Sequence, residues 1–420
     1  MGNQCKELKT ESDIEGEIYF FQGNTDLVSK YKENTKATYK DIIDKIIKPK
    51  FNEFFNLKNV HFLLGSGTSS NSIPTMAGLF KTLEKGISSE TSDKNILGCF
   101  DKIKDVNKGN LEQILSVLYS RREALKGMGK QSEKTEQLIG IIERHIFDSI
   151  NVDRLCENYE KDLSNYQKFY QKLALRSRDM SRINVFTTNN DLFNERALDN
   201  LNIHYINGFG GGLGRFFNPA LFNYTYSKRL DSSISKYEPV ENLVYLYKIH
   251  GSINWVEDDT NINSFFKVKE LPADMIKKGD NNVLIYPTPM KQNKSLGSPY
   301  VDLFREFQHK LLEPNGVLFV IGYSFSDEHV NDIIYRALAT NTTFNLVILN
   351  DVKGSIISKV ADNRIYRLWG KIPDGTKIHY FDYIVNKLLP NLDAFRDSTS
   401  DLEKFVSYLN QQKKEKDEDR

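Results

Sequence analysis

The chain has 420 residues, 39% of them hydrophobic and 27% charged, which is enough for roughly two to three domains with packed cores. Its 57 basic and 56 acidic side chains leave a net charge of +1, so bulk attraction to nucleic acid has no global electrostatic basis. Cys5, Cys99 and Cys156 stand far apart without CxxC spacing, which argues against a disulfide framework or a thiolate zinc site, and no run of about 18 apolar residues offers a membrane span.

The chain starts with a polar stretch, Met1 to Lys6, followed by acidic residues, and does not read as a signal peptide. Lys6 stands where N-myristoylation of Gly2 would want Ser or Thr. The expectation is a soluble cytoplasmic protein. Ile18 to Phe21 reads as a short strand, and Tyr31 to Phe55 has helical spacing with a lysine-rich, solvated face.

Val60 to Leu64 is an apolar run that stops at Gly65-Ser66-Gly67-Thr68-Ser69-Ser70 and continues to Ile73-Pro74-Thr75-Met76. Glycines there permit a tight turn and close approach of the backbone to a ligand, and small hydroxyl residues let N–H groups face an anion. A pyrophosphate cradle and an ordinary strand-to-helix turn both fit this stretch taken alone. Met76 to Glu84 reads as a short helix, closed by a polar break over Ser88 to Lys94.

From Ile96 to about Arg182 apolar residues recur at helical spacing, in Leu111 to Tyr119, Leu138 to Phe147 and Leu163 to Leu175. This predicts a helical insertion of three or four helices, with Tyr166, Phe169 and Tyr170 as core. Strand patterns return in Ile183 to Phe186, Ile203 to Ile206, Val244 to Ile249, Val283 to Tyr286, Gly316 to Ile321 and Phe344 to Leu349. Helical patterns lie between them over Leu192 to Leu201, Pro299 to Leu312 and Val330 to Ala339. Gly208 to Gly214 reads as a mobile loop, because no helix pattern follows its glycines.

Continuous apolar strands alternating with helices predict an α/β fold: a Rossmann-like, mostly parallel sheet with helices on both faces, plus the helical insertion. The expected organisation is 1–80 for the N-terminal region with the first strand and glycine loop, 81–181 for the insertion, 182–395 for the rest of the core, and 396–420 for a charged, fraying tail. Ligands collect at the carboxyl ends of such strands. Polar and glycine residues stand there at 65–70, 187–191, 250–252, 322–327 and 350–351.

Taken in order, these five ends resemble the sirtuin family, in its bacterial, zinc-free, NAD-consuming branch. Gly65-Ser66-Gly67-Thr68-Ser69 with Ile73-Pro74 is similar to the family's pyrophosphate loop, and Thr187-Thr188-Asn189-Asn190-Asp191 to its Thr-Gln-Asn-x-Asp motif. Ile249-His250-Gly251-Ser252 is similar to the motif that carries the catalytic histidine. Gly322-Tyr323-Ser324 stands where the family has Gly-Thr-Ser, and Asn350-Asp351 where an asparagine meets the adenosine ribose. Thr75-Met76 replaces the family's Asp-Phe-Arg, and its four-cysteine zinc module is absent, which turns the expectation away from deacylation.

The resemblance implies an NAD glycohydrolase that releases nicotinamide and ADP-ribose, with NAD as substrate and no metal. Asn189 and His250 are the expected catalytic residues. Gly65, Ser66, Gly67, Thr68, Asp191, Gly322, Ser324 and Asn350 are the expected cofactor-binding set. An imidazole suits a base at working pH, and a carboxamide both donates and accepts. The alternatives are a strand-end histidine bonded to its own loop, turn or capping roles for Asn189 and Asp191, turn roles for Ser324 and Asn350, and capping by Asp327 and His329. The branch further implies an anti-phage effector, with a second copy of the chain and a HerA-type ATPase or other sensor from the same operon as the expected partners. Other functions that fit are an NAD or ADP-ribose sensing module without turnover, and protein ADP-ribosyl transfer or deacylation.

Overall fold

A computed structural model describes residues 17–390, apart from 34, 108, 110, 153–155, 174–179, 230–236, 241, 259–266, 277–281 and 285–297. The tail 396–420 and Tyr286 to Pro289 therefore lie outside the described residues. The strands are β1 (Glu17–Gln22), β2 (Thr25–Asp26), β3 (Asn59–Leu64), β4 (Ile183–Thr187), β5 (His204–Ile206), β6 (Phe209–Gly210), β7 (Arg215–Phe217) and β8 (Ser227–Arg229). They continue as β9 (Tyr237–Pro239), β10 (Leu243–Lys248), β11 (Gly251–Glu257), β12 (Val268–Glu270), β13 (Asn282–Leu284), β14 (Gly316–Ile321), β15 (Asn345–Leu349) and β16 (Ile365–Lys371).

Nine strands form one sheet in the order β2-β1-β16-β15-β14-β3-β4-β10-β5. From β16 to β5 every pairing is parallel, and only β1 and β2 run antiparallel at one edge. The central strands β3, β4 and β14 are buried at every residue, as continuous apolar runs covered on both faces must be. Side chains alternate between two cores with the period of two that a strand imposes. Val60, Phe62 and Leu64 with Val317, Phe319 and Ile321 face one core, under helices Lys48–Phe55, Tyr159–Leu173 and Phe193–Asn200. Leu63, Leu318 and Val320 face the other, under helices Tyr300–Leu312 and Glu328–Thr340.

Helices Met76–Glu90, Lys94–Val106, Leu111–Gly127 and Glu133–Ile150 enclose a third core of their own, which also takes in Leu192 and Ile253. The first of these runs six residues past the expected end: burial of Ile87 in this core carries the helix through Gly86, and its cap falls at Thr91. Tyr159–Leu173, although part of the same helical stretch of sequence, packs on the sheet rather than in this third core.

Three further regions differ from the sequence reading. The chain after His250 forms β11, which pairs with β13 and β12 in a five-stranded antiparallel sheet of order β13-β11-β12-β7-β6. Gly251, at φ +81°, makes the reversal that lets β11 leave the large sheet. The Gly208 to Gly214 segment is not a loop throughout: β6 and β7 pair as a hairpin in this sheet, and Phe209 and Phe217 pack on the buried Trp255. Beyond Asp351, β16 and its antiparallel partner β1 complete the large sheet, with Trp369 stacked against Tyr19 and Phe21. Among the described residues no helix is long and apolar enough to cross a membrane.

Candidate active site

The chain enters the parallel sheet at β3, then adds β4, β10 and β5 on one side and β14, β15 and β16 on the other. The strand order therefore reverses at β3, and the crevice outside the carboxyl ends of β3 and β14 is where such sheets bind ligands. All five expected strand ends lie on this edge.

The glycine loop follows β3 as a short 3-10 turn, Ser66–Ser69. Gly65 N donates to Ile321 O at 2.9 Å and Gly67 N to Gly322 O at 2.9 Å, so the loops after β3 and β14 lie backbone against backbone. A side-chain carbon at Gly65 would stand 2.6 Å from Gly322 O, and one at Gly67 2.7 Å from Gly322 Cα. Gly322 itself has φ +66°. These three glycines are needed for the approach of one loop to the other, and the amides of Gly65 and Gly67 are engaged in it. Ser66 is exposed, whereas Thr68 and Ser69 are buried.

Thr68 and Ser69 meet Asn189 beneath the loop. Asn189 Nδ2 donates to Thr68 Oγ1 at 3.1 Å, to Ser69 Oγ at 3.3 Å and to Tyr166 OH at 3.4 Å, while its backbone N–H donates to Thr187 Oγ1 at 3.0 Å. Asp191 accepts from Ser69 Oγ at 3.0 Å and from Phe193 N at 3.0 Å, so it both closes the turn into the helix Phe193–Asn200 and anchors the cluster. Burial pushes its carboxyl above the usual range, against the opposing pull of Lys248.

Asn190 joins the β4 end to the β10 end, donating through Nδ2 to His250 O at 2.7 Å and Gly251 O at 3.1 Å. Under this junction Lys248, fully buried, donates to Glu195 Oε1 at 2.8 Å, to Ser252 Oγ at 2.7 Å and to the Asp191 carbonyl. His250 is partly exposed, and its Nε2 lies 3.2 Å from Asp327 Oδ2. Asp327 Oδ1 also accepts from His329 N at 2.9 Å and Val330 N at 3.2 Å, capping the helix Glu328–Thr340. His329 stacks edge-on against Phe304.

Ser324 is exposed and donates to Ser326 Oγ at 3.0 Å. Asn350 Nδ2 donates to Tyr323 O at 3.1 Å, and its Oδ1 accepts from Asp351 N at 2.9 Å. The contacts thus form a closed circuit: Asn350 to Tyr323, Gly322 to Gly67, Thr68 to Asn189, Asn190 to His250, and His250 to Asp327 in the loop that began at Gly322. Every expected site residue lies on this circuit or on the loops it joins. Tyr166, Lys248 and Glu195 were not expected in the site. A lysine inside an apolar strand was the one signal available for them, since a buried ammonium requires partners.

Asn189 and His250 supply a carboxamide and an imidazole at adjoining strand ends, which suits positioning of a hydroxyl and proton removal. Among the described residues no cluster of three His, Cys, Asp or Glu side chains is placed to hold a metal ion. No curated protein matches the chain. A solved chain described as "Structural Basis for the Mechanism and Regulation of Sir2 Enzymes" aligns at 12% identity and a TM-score of 0.37, over 81% of this chain and 96% of that one. Residues 183–364, which carry Asn189, Asp191, His250, Gly322, Ser324 and Asn350, match the family model described as "SIR2-like domain".

Proposed function

We propose that this chain is an NAD glycohydrolase whose site is the crevice at the β3–β14 switch point. The observation that carries the reading is the closed circuit of contacts, which ties five strand ends around one crevice and pairs His250 with Asp327 at 3.2 Å. The SIR2-like match over 183–364 supports NAD as the substrate class. In the reaction, the bond between nicotinamide nitrogen and the ribose anomeric carbon breaks, and its electron pair leaves with neutral nicotinamide. Water oxygen adds to the anomeric carbon and gives up a proton, through an oxocarbenium-like centre as in glycoside cleavage.

His250 takes the base role in this reading. The Asp327 carboxylate, 3.2 Å from Nε2, favours the imidazolium that forms when the ring takes a proton from water or a ribose hydroxyl. Asn189 holds the ribose or the water. Gly65, Gly67 and Gly322 bring the two phosphate-side loops together, Ser66, Thr68 and Ser324 supply hydroxyls along them, and Asn350 shapes the adenosine end. The wider role we assign is NAD depletion in anti-phage defence. A homo-oligomer and a HerA-type ATPase or other sensor from the same operon are its proposed partners.

The test is nicotinamide release from NAD by the purified chain, with and without the product of the adjacent open reading frame. Turnover that falls at least about a hundredfold in both His250→Ala and Asn189→Ala is the expected result. Tight NAD binding with no turnover under either condition would replace hydrolysis by a sensing role, and label retained on protein would replace it by transfer.

A further inference from the structure

Tyr166 lies outside the SIR2-like match, in the helix Tyr159–Leu173, and its ring is fully buried. The ring stacks on Phe193 at 5.6 Å and 7° and meets Phe381 edge-on at 5.1 Å, so it has no freedom to swing. Its hydroxyl lies 2.7 Å from Thr68 Oγ1, 2.9 Å from Ser69 Oγ and 3.4 Å from Asn189 Nδ2. Proton bookkeeping gives this cluster a direction. Thr68 donates its one hydroxyl proton to Gly65 O at 2.8 Å, and Ser69 donates its own to the Asp191 carboxylate at 3.0 Å. Both hydroxyl oxygens can then only accept, and the groups present to supply them are the Tyr166 O–H and the Asn189 amide N–H pair.

We propose that Tyr166 is a positioning residue: its O–H fills one of these two acceptors and confines the Asn189 NH2 to the loop side, so that Asn189 meets the substrate through its carbonyl oxygen. Asn189 then acts as an acceptor toward a ribose hydroxyl or the attacking water, not as a donor. This rests on the NAD-cleaving reading of the same site, but the fixed amide is a property of the protein alone.

The experiment has two arms, and Tyr166→Phe, which removes only the hydroxyl, is used in both. In the first, protein with 15N in asparagine side chains is followed by NMR, the Asn189 pair being identified by its loss in Asn189→Ala. The pair is expected to exchange with solvent at least about tenfold faster in Tyr166→Phe than in the parent chain. In the second, kcat for nicotinamide release is expected to fall about tenfold with KM within about twofold, and Tyr166→Phe is expected to add nothing in the Asn189→Ala background. Ser69→Ala, which removes one acceptor and the Asp191 link, is the second variant and should move both readouts in the same direction. An Asn189 pair unmoved in both variants overturns the proposal whatever the activity. Loss of turnover in every chain, the parent included, with the amide effect intact would overturn the glycohydrolase reading and leave the amide geometry standing.

Discussion

His250 Nε2 lies 3.2 Å from Asp327 Oδ2, while Asp327 Oδ1 caps the helix that follows β14. One carboxylate therefore joins the imidazole after β10 to a helix start after β14, the strand next to β3. Its two duties separate by substitution. Asp327→Asn keeps a good capping side chain but loses the charge, whereas Asp327→Ala loses both. Nicotinamide release should fall about tenfold or more in each. Urea unfolding should find Asn near the parent chain and Ala less stable by about 1 kcal/mol. Equal activity of Asn and the parent would show that the pair has no part in the chemistry.

The loop contact predicts opposite signs for one substitution at two glycines. Gly322→Ala meets an unfavourable φ and the Gly67 backbone at 2.8 Å, and should destabilise by about 1–3 kcal/mol while reducing NAD binding. Gly86→Ala, within the helix Met76–Glu90 and with nothing within 4 Å of the added carbon, should stabilise by about 0.5–1 kcal/mol and leave binding unchanged. Denaturation midpoints of the two variants settle the comparison. A neutral Gly322→Ala would mean the two loops can separate at no cost.

Lys248 and Glu195 are both buried and make a 2.8 Å ion pair beneath the Asn190–His250 junction. Lys248→Met leaves the Glu195 carboxylate without its cation and should cost about 3–5 kcal/mol. Adding Glu195→Gln to Lys248→Met should recover part of that loss, because the orphaned charge is gone. Urea unfolding of the two single variants and the double variant gives the coupling directly. Additive losses would show that the pair does not act as a unit.

The large sheet was legible because β3, β14 and most of β15 are apolar runs between turn residues, a pattern set by burial on both faces. The antiparallel sheet was not, since β6, β7, β12 and β13 are two or three residues long and show no period. β16 was missed because the alternation in Ile365 to Lys371 carries Arg367 on an inward position, where it reaches backbone carbonyls including those of Ser358 and Gly23. In the site, local motifs placed Asn189 and His250 at their strand ends, but partners distant in sequence left no local trace. Tyr166 reads as core from its spacing, and its ring is core. Only the fold brings its hydroxyl to Thr68, 98 positions away. The glycines at 65 and 67 illustrate the converse: a turn motif correctly located, with the close neighbour being another loop of the same chain.

His379 tests the electrostatics at the end of β16. Its Nδ1 accepts from Gly370 N at 3.3 Å, and the ring is partly buried. Burial first, and then the Lys377 ammonium, hold the imidazole below its ordinary pKa of 6.5. The folded chain therefore binds fewer protons at this ring than the unfolded chain does below pH 6.5. Stability from the neutral ring is fully present above that value and is lost as pH falls through the folded pKa. His379→Gln keeps an acceptor for Gly370 N without a titrating group, so its urea midpoint should decline less than the parent's between about pH 7 and 5. Parallel profiles for the two proteins over that window would mean that the unfolded ring is no easier to protonate than the folded one, and that burial does not govern its charge.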